Sequence, residues 1–170
     1  MRNEEIKDFI ELGKRDVLKI GIRDEKGNPK LDENGEVVYL EFDFEDIELP
    51  LKYNKCEFLC RKAYQDLKFD YIIIDKRQDV KGKMILSKNQ EDKIKAQNKY
   101  YKTMEEAMNL FLGEGGVEKV FGKRRYLTMF EDLNKALEPI LPKLQINIDK
   151  IDKKIKDKYK PTEKDVLKDE

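Results

Sequence analysis

Histidine is absent from this chain of 170 residues, and its absence excludes several kinds of catalytic site. Ser-His-Asp and Cys-His nucleophiles need an imidazole, and so do the general bases that titrate near neutral pH. Histidine-based metal sites are excluded for the same reason. An enzyme would have to work with carboxylates, lysine or tyrosine alone. We predict that the protein is not an enzyme and has no catalytic residues, metal ligands or cofactor.

Long apolar runs are also absent. No run of about 20 apolar residues occurs, so we predict no transmembrane helix. The N-terminal sequence, MRNEEIKDFIELGK, is acidic and amphipathic and lacks the apolar stretch of a signal peptide. We therefore expect the protein to remain in the cytoplasm of the cell that makes it.

The charge has no excess of either sign. Lys and Arg together number 36, Asp and Glu together also number 36, and charged residues make up 42% of the chain. A neutral total argues against general nucleic-acid binding and against attachment to an anionic membrane. The interspersed charges are typical of solvated helix faces, so we predict no nucleic-acid partner and no membrane partner.

Cysteine occurs only at positions 56 and 60. In a helix, Cys56 and Cys60 would share one face, because they lie four residues apart. A zinc site needs two more ligands, and none is spaced nearby in the sequence. A disulfide across one helical turn has poor geometry and is disfavoured in a reducing cytoplasm. We predict two small core residues.

Two segments alternate apolar and polar residues, as strands do. Val17–Arg23 and Val37–Phe44 have this pattern, and a turn-rich loop at Asp24–Glu36 joins them. We predict an antiparallel hairpin that packs on helices, because an isolated hairpin is only marginally stable. Before it, residues 3–12 carry apolar residues at helical spacing, which predicts a short helix or an arm.

Two longer segments predict helices. The first spans about 50–67, and Phe69–Ile74 after it would either form a buried strand or extend the helix. The second, Lys88–Leu112, follows Ser87, which forms a plausible capping box with Gln90. The predicted packing seam of this second helix comprises Ile94, Gln97, Tyr101, Met104, Met108 and Phe111.

A further helix is predicted over Tyr126–Leu144, with Pro139 and Pro142 expected to kink or end it. The residues predicted to share its apolar side are Leu127, Phe130, Leu133, Leu137, Leu141 and Leu144. The tail, Gln145–Glu170, predicts a helical extension that passes into disorder.

These elements predict an α+β fold that is mainly α. An N-terminal antiparallel β-hairpin is followed by a small helical domain and a C-terminal helical extension. We assign the arm and hairpin to residues 1–47, the helical core to 48–145, and a tail that is helical and then disordered to 146–170.

The most informative pattern is the stretch Leu110–Leu133, LFLGEGGVEKVFGKRRYLTMFEDL. An apolar helix meets a run of glycines, restarts for about one turn, and breaks again at Gly122. A phosphate-binding loop is disfavoured, because a helix precedes the glycines and Val-Glu follows them. We predict a helix–helix corner in which Gly115 or Gly116 adopts a positive φ.

This stretch resembles the C-terminal half of the tail assembly chaperones encoded by tailed phages and phage-derived elements of low-GC Gram-positive bacteria. Their signature is F-G-E-G-t-x-E-K-[IV]-F-G followed by a helix. Leu112 replaces the first Phe, and Gly116 stands where a small polar residue is common. A second stretch, Leu40–Leu59, resembles the strand-then-helix opening of the same family. The positions that match the signature are Gly113, Glu114, Gly115, Glu118, Lys119, Val120, Phe121 and Gly122.

The resemblance implies a non-catalytic assembly factor in the cytoplasm of a bacterial host. Such a protein binds the long helical tape-measure protein, keeps it soluble and helps recruit tail-tube subunits. It also implies that the residues matching the signature are candidates for binding the partner. Many copies along one filament would favour self-association.

The alternative is a small regulatory protein of a mobile element that binds DNA or a host protein. Such a regulator would need a helix-turn-helix with a basic recognition helix. The helix after the basic cluster Lys123–Arg125 carries Glu131, Asp132 and Glu138, and these acidic residues disfavour insertion into a DNA groove.

Overall fold

A computed structural model describes residues 12–13 and 15–160. A two-stranded antiparallel sheet precedes a series of helices, which confirms the predicted α+β, mainly α architecture. The helix or arm predicted for 3–12 lies outside the described residues except for its last position, and the end of the tail, 161–170, also lies outside them. The elements are β1 (Val17–Gly21), β2 (Tyr39–Asp43), α1 (Leu49–Asp75), α2 (Lys88–Leu112), α3 (Gly116–Phe121), α4 (Met129–Leu137), a 3₁₀ turn (Glu138–Ile140) and α5 (Leu141–Lys158).

The hairpin pairs β1 with β2 in a register that places Leu18 opposite Phe42. Both strands are shorter than predicted, because the long connection between them folds back on itself through local hydrogen bonds. Within it, the carboxylates of Asp24 and Asp32 each accept backbone N–H bonds from residues two and four positions later. This pattern closes two compact turns, in which Gly27 and Gly35 adopt positive φ.

The hairpin packs on the helices, as predicted. Phe42 is only 1% exposed, and the centroid of its ring lies 5.2 Å from that of Phe111 on α2. Leu40 and Phe44 alternate with polar residues along the chain and are buried on the same side. The inward face of β2 therefore belongs to the core that the helices share.

Helix α1 extends through Phe69–Ile74, which confirms one of the two predicted alternatives. It spans 27 residues, or about 40 Å, and ends at Asp75. The alternative of a buried strand at Phe69–Ile74 is therefore wrong. Ile74 is buried while Ile72 and Ile73 are exposed, and the hydroxyl of Tyr71 donates to Oε1 of Gln97 on α2 at 2.8 Å. Packing against α2 extends the helix.

Helix α2 has the predicted bounds, and its N-terminal capping box is formed. The backbone N–H of Gln90 donates to the Ser87 hydroxyl at 3.2 Å, and the backbone N–H of Ser87 donates to Oε1 of Gln90 at 2.9 Å. Tyr101 and Phe111 of the predicted seam are buried, as are the two methionines between them. Ile94 is an exception: it is 49% exposed, because the seam reaches the solvent at this end of the helix pair.

The helix predicted over Tyr126–Leu144 is divided. Helix α4 begins only at Met129, and Leu127, which was expected on the apolar side, is 76% exposed. The carbonyl of Tyr126 accepts a hydrogen bond from the Tyr101 hydroxyl at 3.1 Å. The same carbonyl also accepts the backbone N–H of Met129 at 3.2 Å, so a turn precedes the first residue of α4.

Pro139 marks the end of α4, as predicted, because it lies within the 3₁₀ turn. Pro142 does not end a helix but lies in the first turn of α5, a position that tolerates proline. Leu141 is exposed rather than buried, while Leu144 is buried. Helix α5 then continues through residue 146 to Lys158. No helix among the described residues has the length and hydropathy needed to cross a bilayer.

Candidate functional site

The corner between α2 and α3 is built from glycines with unusual backbone angles. Gly113 has φ of 92° and Gly115 has φ of 66°, and Gly122, which ends α3, has φ of 65°. L-amino acids with a Cβ rarely adopt these angles, so all three positions favour glycine. The predicted positive φ at Gly115 is confirmed.

Gly116 has a different reason to be glycine. It is the first residue of α3 and does not have a positive φ. A Cβ built at this position would lie 2.5 Å from the Cβ of Leu112. Helix α3 therefore turns back so closely on the end of α2 that no side chain fits between them.

Asn109, which was not among the residues predicted from the sequence, stabilises the corner. Its side-chain Oδ1 accepts the backbone N–H of Val117 at 2.9 Å, and its carbonyl accepts the N–H of Gly113 at 3.0 Å. One residue thus caps the end of α2 and the beginning of α3. Its position four residues before the glycine run was the only signal of this role in the sequence.

The residues that match the family signature separate into two groups. Glu114, Glu118 and Lys119 are exposed, and the Lys119 carbonyl accepts a hydrogen bond from Nζ of Lys30 at 2.9 Å. The other group consists of the glycines and the two apolar residues of the signature, Val120 and Phe121. The corner therefore presents charge to the solvent and turns its apolar side toward the hairpin.

Val120 and Phe121 are partly buried and pack against the core. The ring of Phe121 meets that of Tyr126 edge-on, with 5.7 Å between centroids. Together they line an open groove between the hairpin, α3 and α4, with a volume of about 560 Å³. We call it the corner groove. Its lining residues are Ile20, Gly21, Ile22, Arg23, Asp24, Glu25, Lys30, Leu40, Val120, Phe121, Arg124, Tyr126, Leu133, Ala136 and Leu137.

A second groove, which was not predicted from the sequence, lies between α1, α2 and α4. We call it the helix groove. Its volume is about 610 Å³, and Leu137 of α4 lines both grooves. Its lining residues are Tyr53, Cys56, Glu57, Cys60, Arg61, Tyr64, Tyr100, Met104, Met108, Phe111, Glu131, Asn134, Leu137, Glu138 and Leu141.

The two cysteines lie in this helix groove. Cys56 is buried and Cys60 is partly buried, and both thiols are free. Two causes raise the pKa of the Cys56 thiol: the hydrogen bond with Cys60, which is the larger, and burial. The same hydrogen bond lowers the pKa of Cys60. Within the described part of the chain, no three Cys, Asp or Glu side chains form a group that could hold a metal ion.

The basic cluster Lys123–Arg125 is engaged in ion pairs within the protein. Arg124 pairs with Glu25 of the loop between the strands, and Arg125 lies 3.8 Å from Glu105 of α2. Two of the three positive charges are therefore partly neutralised before any partner arrives.

We expect DNA binding to be absent or weak, because the chain has no net charge and this cluster is paired internally. The measurement is a gel shift with mixed-sequence duplex DNA at physiological salt. A Glu25→Gln variant, which frees Arg124, serves as a control for the pairing. Sub-micromolar affinity of the wild-type protein would contradict this expectation and favour the regulatory protein instead.

Comparison with known proteins finds no matching family model, no matching curated protein and no matching solved structure. The likeness to tail assembly chaperones therefore rests on the residues of the two stretches described above.

Proposed function

We propose that the protein is a tail assembly chaperone that binds an apolar helical segment of a tape-measure protein and keeps it soluble, without catalysis. The resemblance of Leu110–Leu133 to that family supports this function. The observation that carries the proposal is the corner groove, because the two apolar residues of the signature, Val120 and Phe121, line it.

The corner groove has the composition that such binding requires. Its floor includes Ile20 and Ile22 of the hairpin and its connection, together with Leu133 of α4. Arg23 and Arg124 place positive charges on its rim, and two acidic residues place negative charges there. An apolar helix could place one face on such a floor while the charged rim keeps the complex in solution.

The same resemblance leads us to propose that the protein helps recruit tail-tube subunits, associates with further copies of itself and acts in the bacterial cytoplasm. Exposed apolar side chains support additional contacts. On α1, Leu51, Phe58, Phe69 and Ile73 are each 46% or more exposed, and their spacing places them on one side of the helix. This side lies opposite the buried face that packs on α2.

We expect co-expression with the tape-measure protein of the same genome to raise its solubility and to yield a complex on pulldown. Ala136→Glu should reduce the recovered complex at least tenfold, because Ala136 is exposed, lines the corner groove and would bring a carboxylate onto its apolar floor. Two substitutions of neighbouring residues on α4 are matched controls. Lys135→Glu changes a residue that lines neither groove, and Asn134→Glu changes a residue that lines the helix groove.

The three variants separate the possible failures. If the tape-measure protein is equally soluble alone and no complex forms, the chaperone function is wrong. If a complex forms but Asn134→Glu removes it while Ala136→Glu does not, the function stands and the binding groove is wrong. Thermal melts of all three variants check that each remains folded.

A further inference from the structure

Three sulfur atoms from two helices meet at the helix groove. The Sγ atoms of Cys56 and Cys60, one turn apart on α1, are 4.0 Å from each other. The Sδ of Met108 on α2 lies 3.6 Å from the first and 3.8 Å from the second. The packing of α1 on α2 thus closes a triangle of sulfur atoms that the sequence spacing alone does not show.

The triangle has the size of a metal-binding site. A bond of about 2.3 Å from a metal to each sulfur gives sulfur–sulfur distances of about 4.0 Å in a trigonal site and about 3.8 Å in a tetrahedral one. The observed edges are close to these lengths, so the three sulfur atoms could hold an ion with little movement of either helix.

The donor set selects the kind of ion. Two thiols and a thioether are soft ligands, and soft ligands favour Cu(I) over cations that prefer nitrogen or oxygen. Zn²⁺ ordinarily takes four ligands from Cys, His and carboxylates, and only two of these three donors belong to that group. Met104 also lines the groove and places a further thioether side chain nearby.

An ion can reach the sulfur atoms. Both cysteines and Met108 line the open helix groove, and Cys60 is only partly buried. Neither thiol is engaged in a disulfide. Two further residues of the lining, Glu57 and Arg61, form an ion pair with each other on the rim, so they leave the floor to the apolar and sulfur-containing side chains.

We propose that Cys56, Cys60 and Met108 form a binding site for a monovalent soft metal ion, with Cu(I) as the preferred occupant. Binding forms three metal–sulfur bonds, releases the thiol protons to solvent and transfers no electron. The site stands apart from the corner groove, and this proposal does not depend on the proposed chaperone function.

The test is an anaerobic titration of the reduced, full-length protein with Cu(I) in competition with a chromogenic Cu(I) chelator. We expect one equivalent to bind. Cys60→Ser and Met108→Leu should each weaken binding at least tenfold. Leu is close to Met in volume, so the second variant should remain folded. Met84→Leu is the matched control, because Met84 is 78% exposed in the loop between α1 and α2 and lies outside the helix groove.

Three outcomes would overturn the site. The first is failure of the wild-type protein to bind Cu(I) against the chelator. The second is unchanged affinity in Met108→Leu, which would show that the thioether is not a ligand and that only the two thiolates bind the ion. The third is an equal loss of affinity in Met84→Leu. X-ray absorption of the loaded protein should show three sulfur neighbours, and circular dichroism of each variant should match that of the wild type.

Discussion

Gly116→Val is expected to lower the free energy of unfolding by about 3 kcal/mol or more. Inserting carbon atoms into a closely packed site typically costs about 1–3 kcal/mol. Here the added Cβ would lie 2.5 Å from the Cβ of Leu112, and both atoms are fixed to helical backbone, so neither can rotate away. Relief requires α3 to move off the end of α2, which would also displace Val120 and Phe121 from the corner groove.

Urea denaturation measures this effect, and two other glycines calibrate it. Gly115→Val should cost about 1–3 kcal/mol through its positive φ alone, because nothing lies within 4 Å of its added Cβ. Gly82→Ala, which has open space and no positive φ, should leave stability nearly unchanged. If Gly116→Val unfolds at the same urea concentration as the wild type, the close approach of α3 to α2 is not present in solution.

Phe42→Ala is expected to lower the free energy of unfolding by about 3–5 kcal/mol, the usual cost of truncating a buried aromatic side chain. Phe42 is 1% exposed, and its ring contacts that of Phe111, so its removal leaves a cavity where the hairpin meets α2. The loss should appear as one shifted transition for the whole molecule, because strand and helix share this core.

The matched control is Tyr39→Ala on the same strand. Tyr39 is 39% exposed, so its truncation should cost much less than that of Phe42. Thermal melts followed by far-UV circular dichroism and by tyrosine fluorescence compare the helical and tertiary signals. Separate transitions by the two probes, or equal losses in the two variants, would show that the hairpin is not integrated with the helices.

Part of the corner could be predicted from the sequence, because a glycine often marks a backbone conformation that other residues rarely adopt. The break at Gly122 and a positive φ at Gly115 or Gly116 were predicted from residue type and spacing, and the structure has it at Gly115. The steric requirement for glycine at position 116 could not be predicted from the sequence, because it depends on how closely Leu112 approaches from the preceding helix. The role of Asn109 was not predicted for a similar reason, since its side chain accepts the N–H of Val117 only when the chain has turned.

The sequence by itself determined the elements whose signals are short-range. The capping box at Ser87 set the start of α2, the glycine run set its end, and strict alternation set the facing of β2. Tertiary structure decided the rest. Contact with α2 kept Phe69–Ile74 helical where periodicity left strand and helix equally open. The two grooves and the sulfur triangle also belong to the tertiary structure, because each joins residues that lie tens of positions apart and meet only when helices pack.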